Sequence, residues 1–338
     1  MRVDEIGELD LVERIRSALE TGASGVEVGP GDDAAVIDMS ERRLVLTTDR
    51  QTEGVHFRRS WLSPWELGRR ALAVCVSDLG AMGATPTWAL CALELPPDLG
   101  VEWLDGVVAG LRDGGRELGC PTIGGDVTLS ARCVGMCLCA GGTLAAGVPP
   151  TLRDRATVGD ACWLIGDLGM AAAGRLLLSS GGNDPSDALA HRGIEAYRMP
   201  TPPLSFARHV AERRLVGAMM DVSDGLGLDL TRLCAASRVG VALDADALLA
   251  ADVTELASRL GRAPLSLAVG GGDDYALLCS VGDGDQDDLV AAAARFEVNA
   301  RRIGVFVAAA DGLTVRNGAT DEPLGSAGWD PFAAGSTT

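Results

Sequence analysis

No lysine occurs in this 338-residue chain, and all 29 of its basic residues are arginine. The absence excludes every chemistry that needs a lysine amine: a Schiff-base nucleophile, a pyridoxal phosphate anchor, and the phosphate-binding lysines of P-loop proteins and protein kinases. A protein of this composition that handles phosphate must hold it with metal ions, arginine or backbone N–H groups.

Long apolar runs are missing as well. The longest, such as ALAVCV and VGMCLCA, fall far short of the roughly 20 residues that cross a bilayer. The first residues, MRVDEIGELDLVERIRSALE, are amphipathic and acidic and do not resemble a secretory signal. We therefore expect a cytoplasmic protein without a membrane partner.

Zinc-binding cysteine pairs and a basic surface are also lacking. The nine cysteines form no CxxC pair, which predicts reduced core residues in place of a zinc site. The net charge of −18 would repel nucleic acid, so we expect no such partner. HExxH, GxSxG and a Ser-His-Asp order are absent, and hydrolase templates therefore have no support.

The hydrophobic pattern is typical of α/β or α+β layers and divides into two halves. In the first half it predicts strands at 34–38, 43–48, 87–95 and 132–144 and helices at 8–20, 64–82 and 101–118. In the second half it predicts strands at 162–167, 218–222, 275–281 and 303–308 and helices at 169–180, 203–214, 225–236 and 286–296.

The pattern lapses around AAGVPPTLRDRATVGD, which predicts a domain boundary near residue 150. We expect an N-terminal domain at 1–149, a C-terminal domain at 150–332 and a tail at 333–338. The segment 181–203 is expected to be a mobile connector that enters a helix.

Aspartate beside glycine or a hydroxyl residue recurs at predicted strand ends. The stretches are GDDAAV, LTTDRQTEGVHF, VSDLGAMGA, TIGGDVT, MMDVSDGLGLDL, AVGGGDDYALL and AGWDPF. Carboxylate and hydroxyl oxygens are ligands of hard cations, and Mg²⁺ is bound by a few carboxylates together with substrate phosphate oxygens. If these loops converge, they form a phosphate site with several metal ions.

Each stretch also has a purely structural interpretation. Gly-Asp pairs are common in turns, and Ser223 or Asp224 could cap the helix that follows DVSDG. The stretch TTD at 47–49 could be a plain strand exit, and IGGDV a glycine-rich turn. Asp78 stands in an otherwise apolar helix, where it must reach solvent or bind a ligand because an unpaired buried charge is costly.

Together these motifs resemble those of the thiamine-monophosphate kinases, within the superfamily that also contains the aminoimidazole ribonucleotide and selenophosphate synthetases. The likeness extends over about residues 5–332, and EGVHF combined with SDLGAMGA points to the kinases. It implies two α/β domains, the N-terminal sheet domain pairing with its copy in a homodimer, and a site for ATP and several Mg²⁺ ions.

The resemblance also implies residue roles. The family's metal-binding positions match Asp33, Thr47, Thr48, Asp49, Asp78, Asp126, Asp221 and Asp224. Its ATP contacts match Gly125, Asp126, Arg153 and Ser223, and its positions near thiamine monophosphate match His56, Asp273 and Trp329. The chain departs from the family at Asp273, where Glu is usual, at Cys75 or its neighbour, where Asn is usual, and at Pro331, where His is usual.

The implied reaction transfers the γ-phosphoryl group of ATP in line onto thiamine monophosphate and yields thiamine diphosphate. The acceptor is itself a phosphate, whose second pKa near ~6 leaves it mostly dianionic, so it needs no general base. Two alternatives stay open at this point: another ATP-dependent synthetase of the superfamily, resembling aminoimidazole ribonucleotide synthetase, and a non-catalytic Ca²⁺-binding protein.

Overall fold

The computed structural model describes residues 26–28, 32–39, 42–181, 186–325 and 327–330. The predicted helix at 8–20, the tail at 333–338 and Pro331 lie outside these ranges. The chain forms two compact units, one of Met1–Leu79, Pro86–Ala146 and Trp329–Thr338 and the other of Gly80–Thr85 and Gly147–Gly328. The division at residue 150 stays a prediction.

Six described strands form a mixed sheet in the first unit. They are β1 Val26–Val28, β2 Ala35–Asp38, β3 Arg43–Thr52, β4 Thr85–Leu95, β5 Thr122–Leu129 and β6 Gly135–Thr143. Their order is β1-β2-β3-β6-β4-β5, with β4 and β5 parallel and with antiparallel pairing of β2 and β6 to β3. The strand β5 therefore lies at an edge of the sheet.

Two helices of the first unit, α1 Pro64–Ala81 and α2 Val101–Glu117, pack closely because each presents a glycine to the backbone of the other. A Cβ at Gly68 would lie 2.1 Å from the carbonyl oxygen of Val107, and a Cβ at Gly110 would lie 2.0 Å from that of Trp65. The Sγ atom of Cys75 lies 3.8 Å from the carbonyl oxygen of Leu138 on β6, so α1 also contacts the sheet.

Seven described strands form the sheet of the second unit. They are β7 Ala161–Ile165, β8 Met219–Val222, β9 Val239–Asp244, β10 Ala276–Val281, β11 Ala300–Ala308, β12 Leu313–Asn317 and β13 Thr320–Pro323. The order is β13-β12-β9-β11-β7-β10-β8, and β9 with β12 is the parallel pair among these strands.

The helices of the second unit lie on both faces of its sheet. They are α3 Met170–Ser180, α4 Ala188–Arg198, α5 Leu204–Arg213, α6 Leu226–Ser237, α7 Ala245–Leu248, α8 Ala251–Arg259, α9 Pro264–Gly270 and α10 Gln286–Arg295. Cys162 and Leu164 of β7 pack with α6, whereas the intervening Trp163 and Ile165 pack with α5 and α10. Alternate residues of one strand thus enter two cores, and the predicted α/β fold class is confirmed.

The prediction of a mobile connector at 181–203 is wrong, because α4 occupies its middle. Asp187 begins this helix by accepting hydrogen bonds from the backbone N–H groups of Leu189 and Ala190. The helix can pack closely on α3, since a Cβ at Gly174 would lie 1.9 Å from the carbonyl oxygen of Gly193. Among the described residues, no helix combines the length and apolarity needed to span a bilayer.

Candidate active site

One face of β3 carries the polar residues of the first unit's candidate site. Thr47, Asp49 and Gln51 alternate with outward-facing residues, and the Thr47 hydroxyl donates a hydrogen bond to Asp78 Oδ2 on α1. The predicted end of this strand at residue 48 is wrong: β3 continues to Thr52 because it pairs with β6 throughout. The polar residues therefore stand on a rigid strand and not in a loop.

Thr48 lies on the opposite face of β3. Its hydroxyl donates a hydrogen bond to the carbonyl oxygen of Leu138 at 2.9 Å and lies 3.6 Å from Cys137 Sγ. The structure brings Thr47 and Asp78 together, and it turns the Thr48 side chain away from them.

The loop before β2 adds a second carboxylate to this site. Carboxylate oxygens of Asp33 and Asp78 lie within 4.8 Å of each other, close enough for one cation to bind both. Asp32 has a structural role in this loop, because its Oδ1 accepts a hydrogen bond from the Asp33 N–H at 2.9 Å. Asp32 thus fixes the loop that presents Asp33.

Gly125 and Asp126 lie on the exposed edge strand β5, so IGGDV is part of a strand and not a turn that follows one. Gly125 permits a close approach of β4, since a Cβ there would lie 1.8 Å from the carbonyl oxygen of Cys91. With β6 and β4 between them, β3 and β5 are about 14 Å apart along the sheet. If Asp126 binds a metal, that ion is a different one from any held by Thr47 and Asp78.

His56 belongs to the tight turn after β3. Its Nδ1 accepts a hydrogen bond from the Thr52 N–H at 3.1 Å, which leaves the proton of the neutral ring on Nε2. The side chain is half-buried, so the turn holds the imidazole in one orientation with Nε2–H as its donor.

In the second unit, the loop DVSDG connects β8 to α6. Asp221 is buried at 3% exposure, and Ser223 and Asp224 are half-buried. Gly225 precedes α6 without a side-chain cap, so Ser223 and Asp224 do not cap the helix. Their N–H groups instead donate to Asp229 Oδ2, each at 3.0 Å.

Asp229 and Arg232 hold this loop in place, and neither was predicted from the sequence. Arg232 Nη1 lies 2.6 Å from Asp224 Oδ2 and 2.8 Å from Asp229 Oδ1. Burial, reinforced by the charge of Asp224 and opposed by Arg232, raises the pKa of Asp229 to about 7. The signal in the sequence was an aspartate inside the apolar run LGLDL, where a buried carboxylate needs partners.

The loop GGGDDY packs directly on DVSDG. The Asp273 N–H donates to the Ser223 carbonyl and the Tyr275 N–H to the Val222 carbonyl, both at 2.8 Å. Asp273 and Tyr275 adopt φ angles of 65° and 50°, a left-handed conformation that costs free energy in residues other than glycine. Arg175 of α3 lies 3.8 Å from Asp273 Oδ2.

The neighbouring Asp274 serves the fold. Its two carboxylate oxygens accept hydrogen bonds from the Gly169 N–H at 2.9 and 3.1 Å, just before α3. Complete burial raises its pKa well above the ordinary value, and the charges of Asp273 and Asp167 add to that shift. Of the two adjacent carboxylates, Asp273 therefore remains the candidate for substrate.

Two further predicted residues have defined positions. The Arg153 carbonyl accepts a hydrogen bond from the Ser237 hydroxyl at 2.7 Å, which fixes the backbone of that arginine. Trp329 is half-buried and directly follows Gly328, whose Cβ would lie 2.9 Å from the Asp224 carbonyl oxygen. Gly328 therefore lies beside the DVSDG loop.

The sequence matches two family descriptions in order: AIR synthase related protein, N-terminal domain, over residues 31–145, and its C-terminal domain over residues 157–316. The chain belongs to this family. Curated relatives that are named thiamine-monophosphate kinase place it more narrowly.

The relative from Aquifex aeolicus is 32% identical over 82% of this chain and 87% of its own length. The relative from Escherichia coli K12 is 32% identical over 97% of this chain and 98% of its own. Among solved structures, AaThiL complexed with AMPPCP and TMP matches with a TM-score of 0.84 and 29% identity over 98% of both chains. The chain is thus a member of the thiamine-monophosphate kinase family, and the family resemblance inferred from the sequence motifs is confirmed.

Proposed function

We propose that this protein transfers the γ-phosphoryl group of ATP to thiamine monophosphate and releases thiamine diphosphate and ADP. The proposal rests on the match, over 98% of both chains, to a structure that holds an ATP analogue and TMP. The matched relatives carry the same activity in their names, and none of these observations favours a synthetase or a Ca²⁺-binding protein.

The chemistry of the donors fits Mg²⁺. In the first unit, the Thr47 hydroxyl is hydrogen-bonded to the Asp78 carboxylate. A second carboxylate, that of Asp33, lies within 4.8 Å of Asp78. These are hard oxygen ligands of the kind that Mg²⁺ selects. The proposed ligands are Asp33, Thr47, Asp49, Asp78, Asp126, Asp221 and Asp224. Thr48 is not among them, because its hydroxyl lies on the opposite face of β3 and bonds to the Leu138 carbonyl oxygen.

Bound Mg²⁺ would neutralise the phosphate charge that builds up during transfer. Gly125, Asp126, Arg153 and Ser223 are the proposed contacts to ATP. Arginine and backbone N–H groups must orient the phosphates in a chain without lysine.

The proposed acceptor contacts are His56, Asp273 and Trp329. An aromatic face and a carboxylate suit the thiazolium cation of thiamine, and Nε2–H of His56 can donate a hydrogen bond. No residue is assigned as a general base, because the dianionic acceptor phosphate can attack without losing a proton. Positioning and charge neutralisation carry the rate.

We also infer a homodimer formed through β5. Ile123, Val127 and Leu129 on this edge strand are 65%, 65% and 73% exposed, and exposed apolar edges tend to pair with another chain. Sedimentation velocity should give a dimer for the parent and a monomer for Val127→Glu.

The cytoplasmic location stays a prediction.

Asp49→Asn and Asp221→Asn test the metal assignment. Each should abolish Mg²⁺- and ATP-dependent formation of thiamine diphosphate while the circular dichroism spectrum stays that of the parent. Asp311→Asn is the control, because it changes an exposed carboxylate outside the proposed ligands. Full activity in both test variants would overturn the assignment.

A further inference from the structure

Gln51 is a buried residue whose amide oxygen has no hydrogen-bond donor among the described residues. Its side chain is only 3% exposed, and its Oε1 atom has no hydrogen-bond partner within the part of the chain that the structure describes. Its Nε2 donates to the carbonyl oxygen of Arg50 at 3.4 Å. This contact assigns the amide orientation and leaves the oxygen as an acceptor.

A buried amide oxygen without a donor destabilises a fold, because it loses its hydrogen bonds to water and gains none in return. Gln51 stands opposite Met136 in the pairing of β3 with β6, and Met136 is fully buried. A leucine would suit such surroundings better than an amide. A hydrogen-bond donor from outside the chain would therefore explain why a glutamine occupies this buried position.

The strand places this acceptor beside the candidate metal ligands. Asp49 and Gln51 are two residues apart on the same face of β3, so their Cα atoms are about 6.6 Å apart. The Thr47 hydroxyl on the same face already bonds to Asp78. The acceptor thus lies on the far side of Asp49 from the contact between Thr47 and Asp78.

Mg²⁺ held by one or two carboxylates keeps several of its water molecules, at about 2.1 Å from the ion. A glutamine two positions along the strand, with its Cα about 6.6 Å from that of Asp49, is placed to meet such a water molecule. The O–H group of bound water is also the kind of donor that a lone amide oxygen lacks.

We propose that Gln51 Oε1 accepts a hydrogen bond from a water molecule on a Mg²⁺ ion bound to Asp49. The residue is then a positioning residue for the metal, and this role rests on the proposed function. Partners of this kind typically affect metal affinity by roughly tenfold or more when they are removed.

Thermal melting and calorimetric titration with MgCl₂ alone test the assignment. In Gln51→Leu we expect a melting temperature without Mg²⁺ equal to or above that of the parent, because the unpaired oxygen is gone. We expect its Mg²⁺ dissociation constant to rise roughly tenfold. Gln51→Glu, which keeps an acceptor, should retain the Mg²⁺-induced rise in melting temperature.

Gln286→Leu is the matched control, since it replaces the only other glutamine of the sequence and should leave the Mg²⁺ response unchanged. A lower melting temperature of Gln51→Leu without Mg²⁺, together with parental Mg²⁺ affinity, would make Gln51 a plain core residue and overturn the proposal.

Three further outcomes are informative. If thiamine monophosphate alone, and not Mg²⁺, raises the melting temperature of the parent but not that of Gln51→Leu, the donor is a group of the substrate and the water assignment is wrong. If the parent shows no Mg²⁺ response, the metal site of the proposed function fails as well. A normal response in both parent and Gln51→Leu overturns only the role of Gln51.

Discussion

Each unit contains one pair of adjacent aspartates among its candidate residues, and in each pair the two side chains have different roles. Asp32 bonds to the backbone of its neighbour while Asp33 approaches Asp78. Asp274 turns inward to the Gly169 N–H, whereas Asp273 lies near Arg175. Each pair therefore combines a structural carboxylate with one that remains for a ligand.

Arg175 should act on the acceptor side through Asp273. Its guanidinium group lies 3.8 Å from that carboxylate and 3.3 Å from the Gly271 carbonyl oxygen. We expect Arg175→Met to raise KM for thiamine monophosphate roughly three- to tenfold with a smaller change in kcat. Steady-state kinetics should show Arg175→Lys between that variant and the parent.

Arg192→Met provides the control, because Arg192 forms an exposed ion pair with Asp252. If Arg175→Met leaves KM for thiamine monophosphate unchanged, Arg175 does not position Asp273.

The sequence predicted the ligand-type aspartates but not the residues that orient them. Asp33, Asp78 and Asp224 stand in recognisable motifs, whereas Asp229 and Arg232 act through contacts that depend on where α6 places them. The same holds for Gln51, which matters because it is buried and because its amide oxygen has no donor among the residues that the structure describes. Neither property can be seen in a single sequence.

At the scale of elements, polar residues led to wrong predictions of where a strand ends and where a helix lies. The strand that was predicted to end at residue 48 continues through DRQT, because β3 pairs with β6 as far as Thr52. The polar composition of the segment before α5 predicted a connector, whereas the structure has the helix α4 there. The Asp187 cap and close packing on α3 stabilise this helix. Long-range pairing and packing set both boundaries, and local composition does not reveal them.

The packing of α1 on α2 depends on the absence of a side chain at Gly110. In Gly110→Ala the new Cβ would lie 2.0 Å from the Trp65 carbonyl oxygen, so the helices must separate. Overpacking of this kind typically costs about 1–3 kcal/mol in the free energy of unfolding, which urea denaturation measures. Gly284→Ala, where a Cβ meets nothing within 4 Å, should cost far less, and equal losses would refute the packing account.

Asp274 should make stability depend on pH. Burial raises its pKa in the folded state, so the folded protein favours the protonated form relative to the unfolded chain, where the pKa is about 3.9. Its contribution to stability is complete below pH ~4 and is lost as the pH rises through the folded-state pKa. Asp274→Asn should remove this loss.

Urea denaturation of the parent and of Asp274→Asn between pH 5 and pH 8 measures the effect. The parent should lose stability relative to the variant as the pH rises. Parallel pH profiles would show that Asp274 does not titrate in this range.

At the scale of the whole molecule, the chain has no lysine, so all 29 of its Lys-or-Arg positions are arginine. Reductive methylation of amines should therefore leave the activity unchanged. Phenylglyoxal, which modifies arginine, should inactivate the protein, and Mg²⁺ with AMPPCP should slow the inactivation because Arg153 is a proposed ATP contact. Equal rates of inactivation with and without the nucleotide would contradict that assignment.

The central claim is the identity of the acceptor, and product analysis tests it most directly. The protein is incubated with ATP, Mg²⁺ and thiamine monophosphate, and in parallel with thiamine or with the open-chain precursor of aminoimidazole ribonucleotide. We predict ADP and thiamine diphosphate in equal amounts from thiamine monophosphate and no product from the other two. ADP with free phosphate and a cyclised product from the precursor, without thiamine diphosphate, would contradict the account.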